Sequence, residues 1–203
     1  MLSTMTTDPA TGRDRSAATR ERLLAAAVDA FAAAGFAGTT TRDIAARAGM
    51  SPAAVYVHHA TKEDLLFEIS RRGHRSAVEV AERAVASTDD PLERIRAIVS
   101  EFSRWHAINS RVGRIVQYEF DALTPEHRAE IAEYRRANEK IMRDALEAGV
   151  EAGVLSVSDV KGTALALLSL SIDLVRWYHP EGQVTPDDIA KLHGDLAVRM
   201  VAA

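Results

Sequence analysis

The residues best placed to do chemistry lie between positions 40 and 59, where two short helical patterns flank a tight turn. Thr40 and Asp43 fit a capping box that starts the first helix, and Gly49 fits the turn that follows. The pair Ser51–Pro52 then starts a second helix, whose side chains are mostly small or polar. Such a helix can enter the major groove of DNA, but the spacing is equally compatible with a tight helical corner. Spacing alone leaves both interpretations open.

Catalytic and metal-binding patterns are missing from the sequence. It contains no Gly-rich phosphate loop, no His-Glu-x-x-His and no Gly-x-Ser-x-Gly. Because there is no cysteine, a metal would depend on histidines and carboxylates. His58 and His59 are adjacent and point about 100° apart on a helix, and the other histidines are scattered. We therefore expect neither an enzyme nor a metal site, and no cofactor.

Charge is distributed unevenly along the 203 residues, whose net charge is -4. Residues 1–75 carry 10 Lys and Arg against 8 Asp and Glu, whereas the remainder carries 15 against 21. The N-terminal third is thus the part that can approach phosphate. Residues 1–15 lack the apolar stretch of a signal peptide and are expected to form a disordered arm. The longest apolar run is too short for a membrane span of about 20 residues, so we expect a cytoplasmic protein without membrane contact.

Helical periodicity and helix-start signals cover nearly the whole sequence, and no segment has a convincing strand pattern. The predicted fold class is therefore all-α, with about nine helices joined by short links. A three-helix helix-turn-helix domain is expected over residues 16–64, and a larger helical domain over residues 65–203. The predicted helices cover about 20–34, 40–49, 51–59, 61–85, 90–109, 111–123, 124–153, 156–178 and a final segment from 185.

Two stretches of the first domain resemble a known family. Phe36–Ala45 and Ala48–His59, followed by Thr61–Leu66, are similar to the DNA-binding domain of the TetR family of transcriptional regulators. The similarity covers about residues 19–69, and it favours DNA binding over a merely structural corner. His59 stands where the family usually has Phe, a departure that changes either the packing of the recognition helix or its polar contacts.

The resemblance implies roles for individual residues. Thr41 and Arg42 are expected to reach the phosphate backbone or a base edge, and Arg42 is the best candidate for a bidentate contact with guanine. Ser51, Tyr56 and Lys62 are expected to hold phosphates. The residues expected to face the floor of the groove are Ala53, Ala54, Val57 and His58.

The resemblance also implies that the chain from about Ser76 onward forms a ligand-binding and dimerisation domain. The helix predicted over residues 157–178 is apolar on nearly all sides, which indicates burial against its own core and against a partner. Two such helices from each chain would form a four-helix homodimer interface, with a larger monomeric core as the alternative. The last helix carries the apolar residues Ile189, Leu192, Leu196, Val198 and Met200.

A ligand pocket is expected among the middle helices, where aromatic and polar residues cluster. For any one of these residues, ordinary packing is the commoner explanation. Asp173 and Arg176 are three residues apart in an apolar helix and are expected to form a structural pair, with a charged ligand as the alternative. The candidate ligand-binding residues are Phe102, Trp105, His106, Gln117, Tyr118, Tyr134, Asn138, Met142, Asp173 and Trp177.

The segment Leu174–Gly182 is similar to TetR-type repressors of sterol and fatty-acid catabolism, which commonly sense acyl-CoA thioesters. The resemblance therefore implies a dimeric repressor that a small hydrophobic or acyl-CoA-like effector releases from a palindromic operator in double-stranded DNA. A ligand-independent regulator or an activator is one alternative, and a helical adaptor that binds only protein is another.

Overall fold

The computed structural model describes the backbone of residues 9–58 and 61–203, and the side chains of residues 16–55 and 61–203. Every predicted helix is present in these ranges, and the eighth is divided in two. The helices are α1 (Pro9–Ala34), α2 (Thr41–Arg47), α3 (Pro52–His58), α4 (Lys62–Ala86), α5 (Pro91–Ile108), α6 (Ser110–Tyr118), α7 (Pro125–Glu151), α8 (Val160–Ile172), α9 (Leu174–Trp177) and α10 (Pro186–Val201). The same ranges contain no β-strand, so the all-α prediction is confirmed.

The chain forms two units, which are divided between Ile69 and Ser70 inside α4. The first unit contains α1, α2, α3 and residues 62–69 of α4. The second contains residues 70–86 of α4 and all later helices. The division thus falls a few residues after the predicted domain boundary at residue 64.

Helix α1 is longer than predicted. It begins at Pro9, whereas the sequence predicts a start near Arg20. Residues 9–15, expected as part of a disordered arm, therefore have helical backbone, and the rest of that arm lies outside the described residues. The end of α1 agrees with the prediction, because Gly35 follows it with a φ of 69° and donates its N–H to the Phe31 carbonyl over 2.8 Å.

The prediction of a single helix over residues 156–178 is wrong, because the helix is interrupted at Asp173. The N–H of Asp173 still donates to the Ser169 carbonyl over 3.0 Å, as in an α-helix. The N–H of Arg176, however, donates to the Asp173 carbonyl, only three residues back. A bond of this kind tightens the turn and separates α8 from α9. The apolar composition that predicted one continuous helix carries no information about this local change.

Side chains cap the starts of α2, α8 and α10. At α2, Thr40 Oγ1 accepts from the Asp43 N–H over 3.2 Å, and the Asp43 carboxylate accepts from the Thr40 N–H over 2.9 Å. Thr185 and its partner at the third helical position form the same reciprocal pair at α10. At α8 the cap is Asp159, three residues after the predicted start of that helix at residue 156.

The core of the first unit consists mainly of aliphatic side chains. Ile44 on α2 and Val55 on α3 are completely buried. The small side chains of Ala45 and Ala48 are buried beside them, which lets α2 and α3 cross closely. The other buried apolar residues of this unit are Leu23, Leu24, Ala26, Ala27, Ala30, Phe31, Leu65, Leu66 and Ile69.

Helix α5 is central to the second unit, because it packs against α7, α8, α9 and α10. Helix α10 approaches α5 closely at Gly194, where a Cβ atom would lie 2.1 Å from Ser100 Oγ and 3.3 Å from the Arg96 carbonyl oxygen. Arg96 also pairs with Asp195 at the edge of this contact. Only a residue without a side chain permits this approach at its present distance.

A buried polar cluster joins three helices of the second unit. Ser103 Oγ on α5 lies 2.8 Å from Ser171 Oγ on α8 and 2.9 Å from His193 Nδ1 on α10. Burial lowers the pKa of His193, which favours the neutral imidazole. The three side chains therefore satisfy one another inside an otherwise apolar core.

Candidate DNA-binding surface and ligand cavity

The turn between α2 and α3 is closed by backbone hydrogen bonds. The Met50 N–H donates to the Ala45 carbonyl over 2.9 Å, and Gly49 has a φ of 63°, a left-handed conformation that favours glycine. Ser51 Oγ accepts from the Ala54 N–H over 3.3 Å at the start of α3. These bonds fix the direction in which α3 leaves α2, as a helix-turn-helix requires.

The predicted DNA-contacting residues with described side chains lie mostly on the surface. Arg42, Ser51 and Ala53 are exposed, and Thr41 and Ala54 are half-buried. These residues lie in or immediately before the first turns of α2 and α3. The backbone of Tyr56, Val57 and His58 belongs to α3, but their side chains lie outside the described residues, as does the whole of His59.

Lys62 has a structural role that the sequence did not reveal. Its Nζ donates to the Phe36 carbonyl over 2.6 Å and to the Thr39 carbonyl over 2.8 Å, and it lies 4.2 Å from the centre of the Phe36 ring. Two of the three N–H donors of the ammonium group are therefore used inside the first unit. Its expected contact with phosphate stays a prediction that would have to use the third donor.

A cavity of about 510 Å³ lies among the helices of the second unit, within the size range of small-molecule sites. Five of the ten predicted ligand-binding residues line it: Phe102, Trp105, His106, Gln117 and Asn138. The lining residues that sequence reasoning missed are Gly73, His74, Ala77, Val112, Gly113, Val116, Ala132, Arg135, Arg136, Glu139, Leu165, Leu168, Ser169, Ile172 and Val175.

The other five predicted residues lie outside this cavity. Tyr118 and Trp177 are exposed to solvent, and Met142 is completely buried in the core. Tyr134 is half-buried, and its carbonyl accepts from an Asn138 side chain that does line the cavity. Asp173 is exposed and pairs with Arg176 over 3.3 Å, so the predicted pair exists, but on the surface. Aromatic and polar composition thus identified half of the predicted set correctly and missed every lining residue of α4 and α8.

Two histidines line the cavity in the neutral form. Burial lowers the pKa of both His74 and His106 to about 4. The Nδ1 atom of His74 lies 2.8 Å from the Ser70 carbonyl, and that of His106 lies 2.8 Å from the Phe102 carbonyl. Because a carbonyl only accepts, Nδ1 carries the proton in each ring and Nε2 is left as an acceptor.

Arg135 is the cavity's most unusual residue. Its Nε donates to His74 Nε2 over 3.3 Å, and the guanidinium carbon lies 4.0 Å from the centre of the Phe120 ring. Burial lowers the pKa of Arg135, an effect that the nearby Asp121 carboxylate opposes. An arginine nevertheless keeps its charge in proteins. The cavity therefore contains a fixed positive charge on a mostly apolar wall.

No helix within the described residues is long and apolar enough to cross a membrane.

Comparison with known proteins agrees with this division of the chain. Residues 23–69 match the family "Bacterial regulatory proteins, tetR family" and residues 88–201 match "Tetracyclin repressor-like, C-terminal domain". The chain is 30% identical over 203 residues to the HTH-type transcriptional repressor KstR2 of Rhodococcus jostii, with 98% of each chain covered.

Solved structures show the same fold. A bacterial regulatory protein in the tetR family from Rhodococcus RHA1 is 41% identical, with a TM-score of 0.85 and coverage of 91% of this chain and 97% of the other. AibR, in complex with isovaleryl coenzyme A and operator DNA, is 27% identical, with a TM-score of 0.78 and coverage of 90% and 97%. This chain therefore belongs to the TetR family of DNA-binding transcriptional regulators and is not an enzyme.

Proposed function

We propose that this regulator is a homodimeric repressor that a small apolar or acyl-CoA-like molecule releases from a palindromic operator. The observation that carries the proposal is a lined cavity of about 510 Å³ in a chain that also has a helix-turn-helix. The relatives support it, because KstR2 is a repressor and AibR is seen with both isovaleryl coenzyme A and operator DNA. Since the operator would be in the cytoplasm, we place the protein there.

Operator recognition would use the exposed start of α2 and of α3. Arg42 is exposed at the first turn of α2, where a guanidinium can make a bidentate contact with guanine. Thr41 and Ser51 offer hydroxyl groups to phosphates, with Tyr56 and the third donor of Lys62 in the same role. Ala53 and Ala54 can touch only thymine methyl groups or permit close approach. Val57 and His58 complete the proposed groove-facing set.

A gel-shift experiment with the DNA upstream of the protein's own gene tests this interface. Wild-type protein should retard the fragment at low salt, and Arg42→Ala should weaken the interaction by about 1–3 kcal/mol. Arg83→Ala, which removes an exposed arginine from the last turn of α4 in the second unit, is the matched control. Failure of folded wild-type dimer to retard the DNA would contradict the proposed operator, and equal binding by Arg42→Ala would contradict the docking.

The proposed dimer would form through α8 and α10. Large apolar side chains remain exposed on both helices of the single chain: Leu165 is 46% exposed, Leu192 55%, Leu196 36% and Met200 50%. The last three are spaced by four residues and form one stripe along α10. Ile189 belongs instead to the core, where it is 1% exposed. A continuous apolar stripe of this kind is typical of a helix that packs against a partner.

Light scattering after size-exclusion chromatography tests the dimer. Leu196→Glu should yield a monomer, because a carboxylate would be buried without a partner, whereas Leu196→Met should remain a dimer. A wild-type protein that is monomeric at micromolar concentration would contradict the proposal.

Release of the operator would depend on α4, which contributes Lys62 to the first unit and the cavity-lining residues Gly73, His74 and Ala77 to the second. A ligand can shift this equilibrium only by binding one state more tightly than the other. Fluorescence anisotropy of labelled operator should therefore report release when a short-chain acyl-CoA is added. An effector that binds tightly and leaves operator affinity unchanged would contradict this mechanism.

A further inference from the structure

We propose that the cavity selects ligands by a carboxylate, which Arg135 holds, while Asn138 accepts a hydrogen bond from a donor on the same ligand. The inference deepens the proposed function and rests on it for the cavity's biological role. Its chemistry, however, follows from the cavity alone and concerns which molecules bind, not whether binding releases DNA.

The first observation is the position of the two side chains. Arg135 and Asn138 are three residues apart on α7, hence on one face of the helix, and both line the cavity. Asn138 is only 6% exposed, and its Nδ2 donates to the Tyr134 carbonyl over 3.3 Å. That bond uses one of the two Nδ2 donors and orients the amide, which leaves Oδ1 as its acceptor.

The second observation is that both side chains have polar atoms left over. Arg135 Nη2 and Asn138 Oδ1 are buried and have no hydrogen-bond partner among the residues that the structure describes. A buried polar atom without a partner carries an unfavourable free energy, which is larger when the atom belongs to a charged group. A ligand that satisfies both atoms recovers this free energy, whereas a purely apolar ligand cannot.

The third observation is that the guanidinium is held in one orientation. His74 Nε2 accepts from Arg135 Nε, and the Phe120 ring lies against the guanidinium plane at 4.0 Å. The Asp121 carboxylate interacts with Arg135 and also pairs with Arg128 over 4.0 Å. The neighbouring carboxylates on α7 pair with other arginines: Glu133 with Arg136 over 2.8 Å and Glu139 with Arg143 over 3.9 Å.

These observations define the ligand's chemistry. An arginine cation in a mostly apolar enclosure favours an anion over a neutral carbonyl, because the anion also neutralises its charge. The acceptor at Asn138, with His106 Nε2 as a second acceptor on the cavity wall, suits a hydroxyl or N–H on the ligand. Two sources share this chemistry: a free carboxylic acid with an apolar body, and a CoA thioester whose acyl chain ends in a carboxylate.

Isothermal titration calorimetry with paired probes tests the proposal on the full-length protein. Straight-chain carboxylates of short and medium length are compared with their methyl esters, and adipoyl-coenzyme A is compared with hexanoyl-coenzyme A. In at least one pair, the carboxylate should bind about ten- to a hundredfold more tightly, the ratio expected for one charge-assisted hydrogen bond. Preference in the first pair identifies a free acid, and preference only in the second identifies the thioester.

Arg135→Gln should abolish the preference, Arg135→Lys should keep part of it, and Asn138→Asp should reverse it through repulsion. Lys140→Gln is the matched control, since it removes an exposed charge from the same helix at a residue that does not line the cavity. Thermal unfolding establishes that each variant folds; if Arg135→Gln does not, Arg135→Lys and Asn138→Asp carry the test.

Equal binding of charged and neutral probes by the wild type would overturn the proposal, as would a preference that survives Arg135→Gln or the absence of binding by every carboxylate at millimolar concentration. The proposed function fails separately, when a carboxylate binds as described but leaves operator DNA bound. If neutral ligands release the operator equally well, the function stands and the selection by Arg135 fails.

Discussion

Replacement of Lys62 by methionine is expected to destabilise the DNA-binding unit. Methionine keeps the length and apolar stem of the side chain but removes the ammonium group. That group donates to the Phe36 and Thr39 carbonyls over 2.6 and 2.8 Å, in the connection between α1 and α2. Thr39 also stabilises this connection, because its buried hydroxyl donates to the Gly35 carbonyl over 2.7 Å.

The magnitude follows from the bonds that are lost. A hydrogen bond to a charged group contributes about 1.5–3 kcal/mol to stability, and the cation over the Phe36 ring adds about 0.5–1 kcal/mol. Because Lys62 is only half-buried, water can replace part of both bonds in the variant. We therefore expect the free energy of unfolding of this unit to fall by about 2–4 kcal/mol.

Hydrogen exchange of the α1 and α2 amides measures this change directly. Operator binding at several salt concentrations measures the proposed phosphate contact of Lys62. Each lost phosphate contact lowers the slope of the logarithm of the binding constant against the logarithm of salt concentration by about 0.9. Arg42→Met is the control: because Arg42 is exposed on α2, the variant should weaken operator binding without changing the free energy of unfolding by more than about 0.5 kcal/mol. If Lys62→Met exchanges like the wild type, the structural role inferred here is refuted, whatever happens to the slope.

Three further outcomes are expected. Gly194→Ala should lower stability by about 1–3 kcal/mol in urea unfolding, and a second change, Ser100→Gly, should restore part of it by removing the nearer obstructing atom. Thr185→Ala should cost about 0.5–2 kcal/mol through loss of the α10 cap, with Thr185→Ser as the control. The pKa of His106 is about 4 when folded and about 6.5 when unfolded, so His106 should lower stability by roughly 3 kcal/mol as the pH drops from about 6.5 to 4. His74 has a similar folded pKa and adds a similar decrease, so His106→Phe should remove about half of the dependence in urea titrations.

Helix ends were predictable because their signals are local. The reciprocal hydrogen bonds between Thr40 and Asp43 join residues three apart in sequence, and the left-handed φ of Gly49 is a property of one residue. Such features need no knowledge of the rest of the fold. The small buried residues between α2 and α3 were predictable for a related reason, since their spacing places them on one side of each short helix.

The cavity was less predictable, because its lining depends on helix rotation. Trp105 and Trp177 are both tryptophans that the sequence places in predicted helices. Trp105 lines the cavity, however, whereas Trp177 is 48% exposed. The interruption of the helix at Asp173 changes the direction in which the later side chains point. The periodicity of one long predicted helix cannot reveal that change. The core residue Met142 shows the same difficulty on α7, one turn after Asn138.

Arg135 was missed for a different reason. It lies beside Arg136 in a charged helix, and a run of charges normally marks a solvated face. Its special character arises from partners far away in sequence, since His74 lies on α4 and Phe120 lies before α7. A polar residue acquires an unusual environment through long-range contacts, which a local pattern does not contain.

His74 links the electrostatics of the cavity to its selectivity. The Ser70 carbonyl fixes the Nδ1 proton, so only the neutral ring can accept the hydrogen bond from Arg135. Burial and then the guanidinium charge keep the pKa of His74 at about 4, far below the value of about 6.5 at which a free histidine titrates. The ring therefore stays an acceptor throughout the physiological range, unlike a histidine that serves as a pH switch. We expect the ratio of carboxylate to ester affinity to be constant between about pH 6 and 8 in calorimetric titrations; a ratio that changes with a midpoint near pH 6.5 would show that His74 titrates and does not hold Arg135 as described.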